Sequence, residues 1–340
     1  MLLLTRQEIA SLVKFEDYIQ IVEDAFRLHA EGGAFEPALA HVDAIGGEFH
    51  IKAGGLRKPF PYFGVKVNGG FFKNQERFGL PNIQGLIILS QGDNGVPLAA
   101  MDSIEITIQR TGAATAVAAR YLARPDSRVC TLCGCGNQGK IQLRALKHVL
   151  PLEKAYVWSP FPQETERFAA AMAEMLALDV VPARDLPSAL GQSDVCVTCT
   201  PSKSPFIRRD WIPPGMFIAA VGADSPDKQE LDADLVAASI VVADLRAQSA
   251  AVGESHHAIR AGLMRADAIH AELGEIIAGI ATGRTSDAQR IVFDSTGTAL
   301  QDVAAAAAVY ERARALEIGL EWSPTGLAGS SATPISPPLK

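Results

Sequence analysis

The sequence predicts an α/β fold: a Rossmann dinucleotide-binding domain with a parallel sheet flanked by helices, joined to a second, α+β domain. Three observations predict it. From Arg128 onward apolar strand, glycine turn and helix alternate repeatedly, which implies parallel strands flanked by helices. The stretch CTLCGCGNQG at residues 130–139 completes G-x-G-x-x-G with Gly134, Gly136 and Gly139 directly between such a strand and such a helix. At 340 residues, the chain is longer than one hydrophobic core normally supports.

The elements follow in order. Ile9, Leu12 and Val13, then Ile19, Val22, Ala25 and Phe26, recur at helical spacing up to Gly32-Gly33, so one helix is expected there. Short apolar runs then predict strands at FHIKAGGL, YFGVKVNGG and IQGLIILS, with QGDNG as a hairpin turn around Asn94-Gly95. An alanine-rich helix is expected from 107 to 122. Strands at 128–133, 155–158, 195–200, 216–221, 240–243 and 291–293 then alternate with helices that include 138–149 and 164–176. A long helix, LQDVAAAAAVYERARALE, follows Gly297. The tail SPTGLAGSSATPISPP is poor in large apolar residues and is expected to be disordered.

Composition narrows the class. Forty-eight per cent hydrophobic and 20% charged residues suit a globular enzyme. A net charge of −7 opposes nucleic-acid binding, which needs a basic footprint. No apolar run approaches a membrane span, and Met1-Leu-Leu-Leu4 runs straight into Thr5, Arg6, Gln7 and Glu8 without a signal-peptide core. Five cysteines, an odd number, do not suggest a disulfide framework. A cytoplasmic protein is the expectation.

The cysteines border a turn rather than form a site. Cys130 with Cys133, and Cys196 with Cys199, give two CxxC pairs, but Cys130 and Cys196 lie in apolar runs that read as central strands. An extended strand carries residues i and i+3 about 10 Å apart onto opposite faces, a geometry that cannot close on one zinc ion. No metal is expected. His256 and His257 read as helix-surface residues. The glycines have the better reason: a tight turn, room for a pyrophosphate, and close helix–strand packing, with Asn137 and Gln138 opening the helix whose N-terminus meets the phosphates. At the end of the next strand the ribose-binding position holds Ser159 in place of an acid, so NAD and NADP both stay open.

Across about residues 1–320 the chain resembles the ornithine cyclodeaminase/μ-crystallin family. The carrying stretches are GVKVNGG (64–70), GLPNIQG (79–85), GVPLAAMDSIEITIQRTGAA (95–114), GCGNQG (134–139), AVGADSPDKQEL (220–231) and VFDSTGTALQD (292–302). The resemblance implies a homodimer whose substrate-binding and dimerisation domain combines residues 1–119 with 298–325. It implies a Rossmann domain over 120–297, leaving 326–340 as tail. It also implies roles. Lys66 and Asp224 become catalytic, with Asp224 handling the proton on the substrate nitrogen. Arg110, which reads here as opening a helix, grips the substrate carboxylate, and Asn82 lies in a substrate-site motif. Thr200, Val221, Ser295 and Thr296 join the glycine turn and Ser159 in lining the cofactor.

Two departures bear on the substrate. Ala38 stands where cyclodeaminases carry an arginine, and the position of their glutamate falls near His50, with Lys52 two residues on. Lys52, Lys66, Arg110 and His50 together would repel a side-chain ammonium. If Lys52 points inward it is a surplus cation, which favours a substrate with a second acid group. The expectation is therefore an NAD(P)-dependent oxidoreductase that reduces an imino acid or oxidatively deaminates an amino acid other than ornithine. A cyclodeaminase-type ammonia lyase, or a ligand- and NADPH-binding protein with little turnover, are the alternatives.

Overall fold

The structure, a computed structural model, describes residues 1–323. The expected disordered tail lies outside them. The first unit opens with β1 (Leu2–Leu4), α1 (Arg6–Leu12) and α2 (Phe15–Ala30), followed by β2 (Ala34–Ala44), β3 (Gly47–Leu56) and β4 (Tyr62–Gly70). The short α3 (Asn74–Phe78), β5 (Ile83–Gln91) and β6 (Pro97–Asp102) complete it, and α4 (Ser103–Leu122) leads out.

The expected single N-terminal helix is two helices. Val13 turns to extended backbone (φ −130°, ψ 123°), and α2 restarts with Phe15, Tyr18, Ile19, Val22 and Phe26 on one buried face. A second expectation also fails. Asp102 caps α4 by accepting from the backbone N–H groups of Ile104 and Glu105, so the helix starts at Ser103 and Arg110 lies well inside it. Arg110 therefore does not open a helix, and it is buried in the interior of α4.

Seven strands form one sheet, in the order of a strand at Leu320–Glu321, then β1, β6, β5, β4, β3 and β2; β1 and β6 are parallel and the rest antiparallel. Alternation gives this sheet two unlike faces. On one, Lys52 and Lys66 sit directly opposite each other across β3 and β4. On the other, Phe49, Val67, Leu86 and Ile88 are exposed.

The second unit holds β7 (Val129–Cys133), α5 (Asn137–Val149), β8 (Lys154–Trp158), α6 (Pro162–Leu176), β9 (Asp179–Pro182), α7 (Leu186–Gly191), β10 (Val195–Thr198) and β11 (Phe217–Ala220). It continues through α8 (Ala233–Ala237), β12 (Ile240–Ala243), α9 (Arg246–Val252), α10 (Glu254–Arg260), β13 (Ala271–Glu272), α11 (Leu273–Ile277) and β14 (Ile291–Asp294). All eight strands are parallel, in the order β13-β12-β14-β11-β10-β7-β8-β9. The strand order reverses between β7 and β10, and ligands of open α/β sheets bind outside the carboxyl ends at such a point. After β14, α12 (Ala299–Ala315) returns to the first unit and packs on β3, β4 and α2. The final strand, β15 (Leu320–Glu321), pairs with β1.

Candidate active site

The glycine turn has the shape a pyrophosphate requires. Gly134 adopts φ +119°, and a Cβ on Gly139 would stand 2.1 Å from the Gly134 carbonyl oxygen, so helix and strand meet only because neither has a side chain. Gly136 differs: a Cβ there would meet nothing within 4 Å. Its missing side chain leaves open space over the N-terminus of α5, where Asn137 and Gln138 begin the helix. Unpaired N–H groups and the positive end of the helix dipole face that space. The donor set therefore fits a dinucleotide. Cys130, Cys133 and Cys196 are buried free thiols, and burial pushes Cys130 and Cys133 up, away from the thiolate that zinc needs.

The loops beyond the neighbouring strands are tied by a residue that the sequence reading missed. Glu230 is fully buried, and one carboxylate oxygen accepts from the backbone N–H of Thr200 at 2.6 Å and from its hydroxyl at 2.7 Å. The other oxygen accepts from the Gly222 N–H at 2.9 Å. Thr200 and the segment after Val221 are thus fixed from beneath. Ser159 instead shares its hydroxyl with Thr165 at 3.0 Å, and Ser295 joins β11 through its N–H to the Ala220 carbonyl.

Where the two units meet, five charged groups are buried together. Lys52, Lys66 and Arg110 are 5%, 3% and 5% exposed, and Asp302 is 1% exposed. The Lys66 ammonium lies 2.6 Å from one Asp302 oxygen, and Arg110 donates through Nε to the other at 2.9 Å. Arg110 Nη1 also donates to the Gln301 amide oxygen at 3.1 Å. Lys52 is not the surplus cation expected. It points inward but donates to the carbonyls of Thr296 (2.9 Å) and Gly297 (2.6 Å). Asp244 holds the same loop from its far side, accepting from the Thr296 hydroxyl at 2.8 Å and the Gly297 N–H at 2.6 Å. Gly297 has φ +73°, and a Cβ there would press on Arg110 at 2.7 Å, so this crossing of the units needs glycine.

Burial shapes the titration of these groups. Desolvation, reinforced by Arg110 and Lys52 and opposed by Asp302, lowers Lys66 to about 7. Desolvation likewise lowers Lys52. It raises Asp244 to about 6, against the hydrogen bonds from Thr296 and Gly297. Three basic groups thus face two carboxylates; near neutral pH Asp244 is still mostly ionised, whereas Lys66 lies close to its midpoint.

Asp224 follows β11 and pairs with Lys228 at 2.6 Å. Burial works to raise its carboxyl, but Lys228, Lys52 and His50 outweigh burial and hold it below the usual carboxylate range. His50 lies two residues from Lys52 on the same face of β3, with Nε2 3.0 Å from Glu48. Asn82 stands apart: its side chain accepts from the Gln75 N–H beside α3. His256 and His257 lie on α10, each with a ring nitrogen at a backbone carbonyl. Asp302, Asp244, Glu230 and Lys228 were all absent from the sequence-based site. Asp302 had a signal, since it closes the quoted segment TALQD inside a helix that is otherwise alanine-rich.

The model of the ornithine cyclodeaminase/mu-crystallin family matches residues 1–317. The chain belongs to that family. Alanine dehydrogenase of Archaeoglobus fulgidus is 36% identical over 94% of this chain and 97% of its own. Iminosuccinate reductase of Paracoccus denitrificans is 37% identical over 92% and 97%. Among solved structures, Thermococcus litoralis Δ1-pyrroline-2-carboxylate reductase with NADH and L-proline superposes with a TM-score of 0.90 at 31% identity, covering 95% of this chain and 100% of that one.

Proposed function

We propose that the protein is an NAD(P)-dependent oxidoreductase that reduces an imino acid to the amino acid, or runs that reaction in reverse. The observation that carries the reading is the buried ionic cluster at the junction of the units, with its excess of cations beside the crevice of the glycine turn. Family relatives that act on alanine, iminosuccinate and pyrroline-2-carboxylate support it.

In this reading Arg110 and Lys66 hold the α-carboxylate. Each uses only some of its N–H donors on Asp302 and Gln301, so donors remain for a ligand. A carboxylate arriving here offsets the excess positive charge of the cluster. Asp224, held anionic by Lys228, faces the substrate nitrogen and stabilises the protonated C=N bond, the form that accepts a hydride. Lys66, lowered to about 7, exchanges a proton readily near neutral pH. The bound nicotinamide supplies or accepts the hydride at the substrate α-carbon. The buried cations Lys52, Lys66 and Arg110 disfavour a substrate with a side-chain ammonium, so ornithine is a poor fit. Lys52, saturated by two carbonyls, organises the Thr296–Gly297 loop rather than offering a second carboxylate anchor. Thr200, Val221, Ser295 and Thr296 line the cofactor.

The working unit is a homodimer in the cytoplasm. The exposed apolar face bearing Phe49, Val67, Leu86 and Ile88 is a surface that a second copy would cover, and one solved relative, an archaeal alanine dehydrogenase, is a dimer with bound NAD.

The test combines NADH or NADPH with ammonia and a panel of 2-oxo acids, or with cyclic imines such as pyrroline-2-carboxylate, and follows loss of reduced-cofactor absorbance. Turnover with at least one member, and none producing proline from ornithine, is expected. Tight cofactor binding without turnover on any member would overturn the reading in favour of a ligand-binding protein.

A further inference from the structure

The β2–β3 hairpin carries the sequence HVDAIGGEFH from His41 to His50, and its register sorts those residues onto one face. His41 lies opposite His50, and Asp43 lies opposite Glu48. Because residues two apart on a strand share a face, all four side chains gather at one spot. His41 Nε2 is 3.3 Å from one Glu48 oxygen, and His50 Nε2 is 3.0 Å from the other. The two rings pack edge to face with centroids 4.7 Å apart. One donor atom from each of His41, Glu48 and His50 lies within 4.8 Å of every other, and no other such group of three occurs among the described residues. Asp43 adds a fourth oxygen 3.4 Å from His41 Nε2.

We propose that this hairpin binds one divalent cation of the zinc class through His41 Nε2, His50 Nε2 and a Glu48 oxygen, with Asp43 or water in the fourth position. The spacing fits the ion. Tetrahedral zinc with nitrogen and oxygen ligands at about 2.0–2.2 Å places neighbouring donors about 3.3 Å apart. The two imidazoles flank opposite oxygens of Glu48 at 3.3 and 3.0 Å, and one donor from each residue lies within 4.8 Å of the others, so a small contraction closes the three on one ion. Two imidazoles and a carboxylate suit a borderline ion better than calcium or magnesium, which prefer all-oxygen shells. The ligands are also accessible, with side chains 30%, 18% and 12% exposed for His41, Glu48 and His50, so an ion can enter without unfolding the hairpin. A histidine–glutamate–histidine hydrogen-bond relay gives similar distances, and the experiment separates the two.

The position gives the site a consequence. His50 lies two residues from Lys52 on the same face of β3. A bound ion would therefore stand at the rim of the proposed substrate cleft. The metal site itself rests only on the hairpin geometry, so it stands or falls separately from the proposed reaction.

The full-length protein, stripped with a chelator, is titrated with Zn²⁺ against a chromophoric competitor, and the bound ion is examined by X-ray absorption. One equivalent per chain and a nitrogen/oxygen shell without sulfur are expected. His41→Ala and Glu48→Gln should each weaken binding at least about tenfold, since even second-shell changes cost roughly 10- to 100-fold. Glu48→Gln keeps a hydrogen-bonding side chain of the same shape, so circular dichroism and the metal-free melting temperature should stay near wild type while zinc affinity falls. Equal zinc affinity in wild type and both variants, or a sulfur-containing shell from the cysteines near the glycine turn, overturns the proposal.

Discussion

Replacing Asp302 with asparagine probes the ionic cluster with the least change of shape. The carboxylate is buried, 2.6 Å from Lys66 and 2.9 Å from Arg110. Two unit charges 2.6 Å apart interact by about 6 kcal/mol at an effective dielectric near 20, and desolvation offsets much of that. Removing one partner of a buried pair typically costs about 3–5 kcal/mol because the remaining charge is left unpaired. Asp302→Asn should lower stability by that order and still leave a folded protein at room temperature. Its effect on titration has a definite sign. Asp302 is what raises Lys66 against burial, Arg110 and Lys52, so its loss lowers Lys66 further below about 7. If the protonated lysine holds the substrate carboxylate, kcat/KM falls as pH rises through that value. The descending limb in Asp302→Asn should then move to lower pH, by about one unit for each 1.4 kcal/mol of lost interaction. The assay is kcat/KM for imine reduction from about pH 5 to 9, with wild type and variant in the same buffers. A variant limb that coincides with the wild-type limb, in a protein that has lost stability, would refute the placement of Lys66 at the carboxylate.

Three further outcomes follow from the same geometry. Gly136→Val should fold normally, because its Cβ meets nothing within 4 Å, yet weaken NADH binding at least about a hundredfold, or about 2.8 kcal/mol; fluorescence titration and a melting curve read the two effects separately. Lys52→Met should raise KM for a dicarboxylic and a small aliphatic imino acid to a similar degree, because the ammonium is bound by the carbonyls of Thr296 and Gly297. A much larger effect on the dicarboxylic substrate would restore Lys52 as a second acid anchor. Lys66 lies well below its ordinary value of 10.5 in the folded chain, so between about pH 7 and 10.5 the native state binds fewer protons than the unfolded one, and this group makes stability rise with pH across that window. Urea midpoints of wild type at about pH 7 and 9 should show the rise, reduced in Lys66→Met.

The strands and helices of the dinucleotide unit were legible because each is a short, strongly patterned segment, and Gly134, Gly136 and Gly139 stand between a strand and a helix as the motif requires. The first unit was read less well. β2 escaped notice because Ala34–Ala44 contains Pro37 and exposes most of its side chains, so the alternation that marks a half-buried strand is weak. The helix break at Val13-Lys14 carries no glycine or proline, and only the switch of burial between α1 and α2 sets it. Lys52, Lys66 and Arg110 stood out as charges in apolar surroundings. What pairs with them did not. Asp302 lies 192 positions from Arg110 and Thr296 lies 244 from Lys52, and only the return of α12 across the sheet brings those segments together. The notion of a surplus lysine failed for the same reason: its partners are backbone carbonyls, which no residue type advertises.

In the proposed reaction a hydride passes directly between the nicotinamide and the substrate α-carbon. Reduced cofactor deuterated at the transferring face of C4, incubated with enzyme and either an imino acid or a 2-oxo acid with ammonia, tests it in one measurement. The predicted product is an amino acid bearing deuterium at the α-carbon, seen by mass spectrometry and located by NMR. Product that is formed without label at that carbon, or label that stays in the cofactor while substrate is consumed, would contradict it.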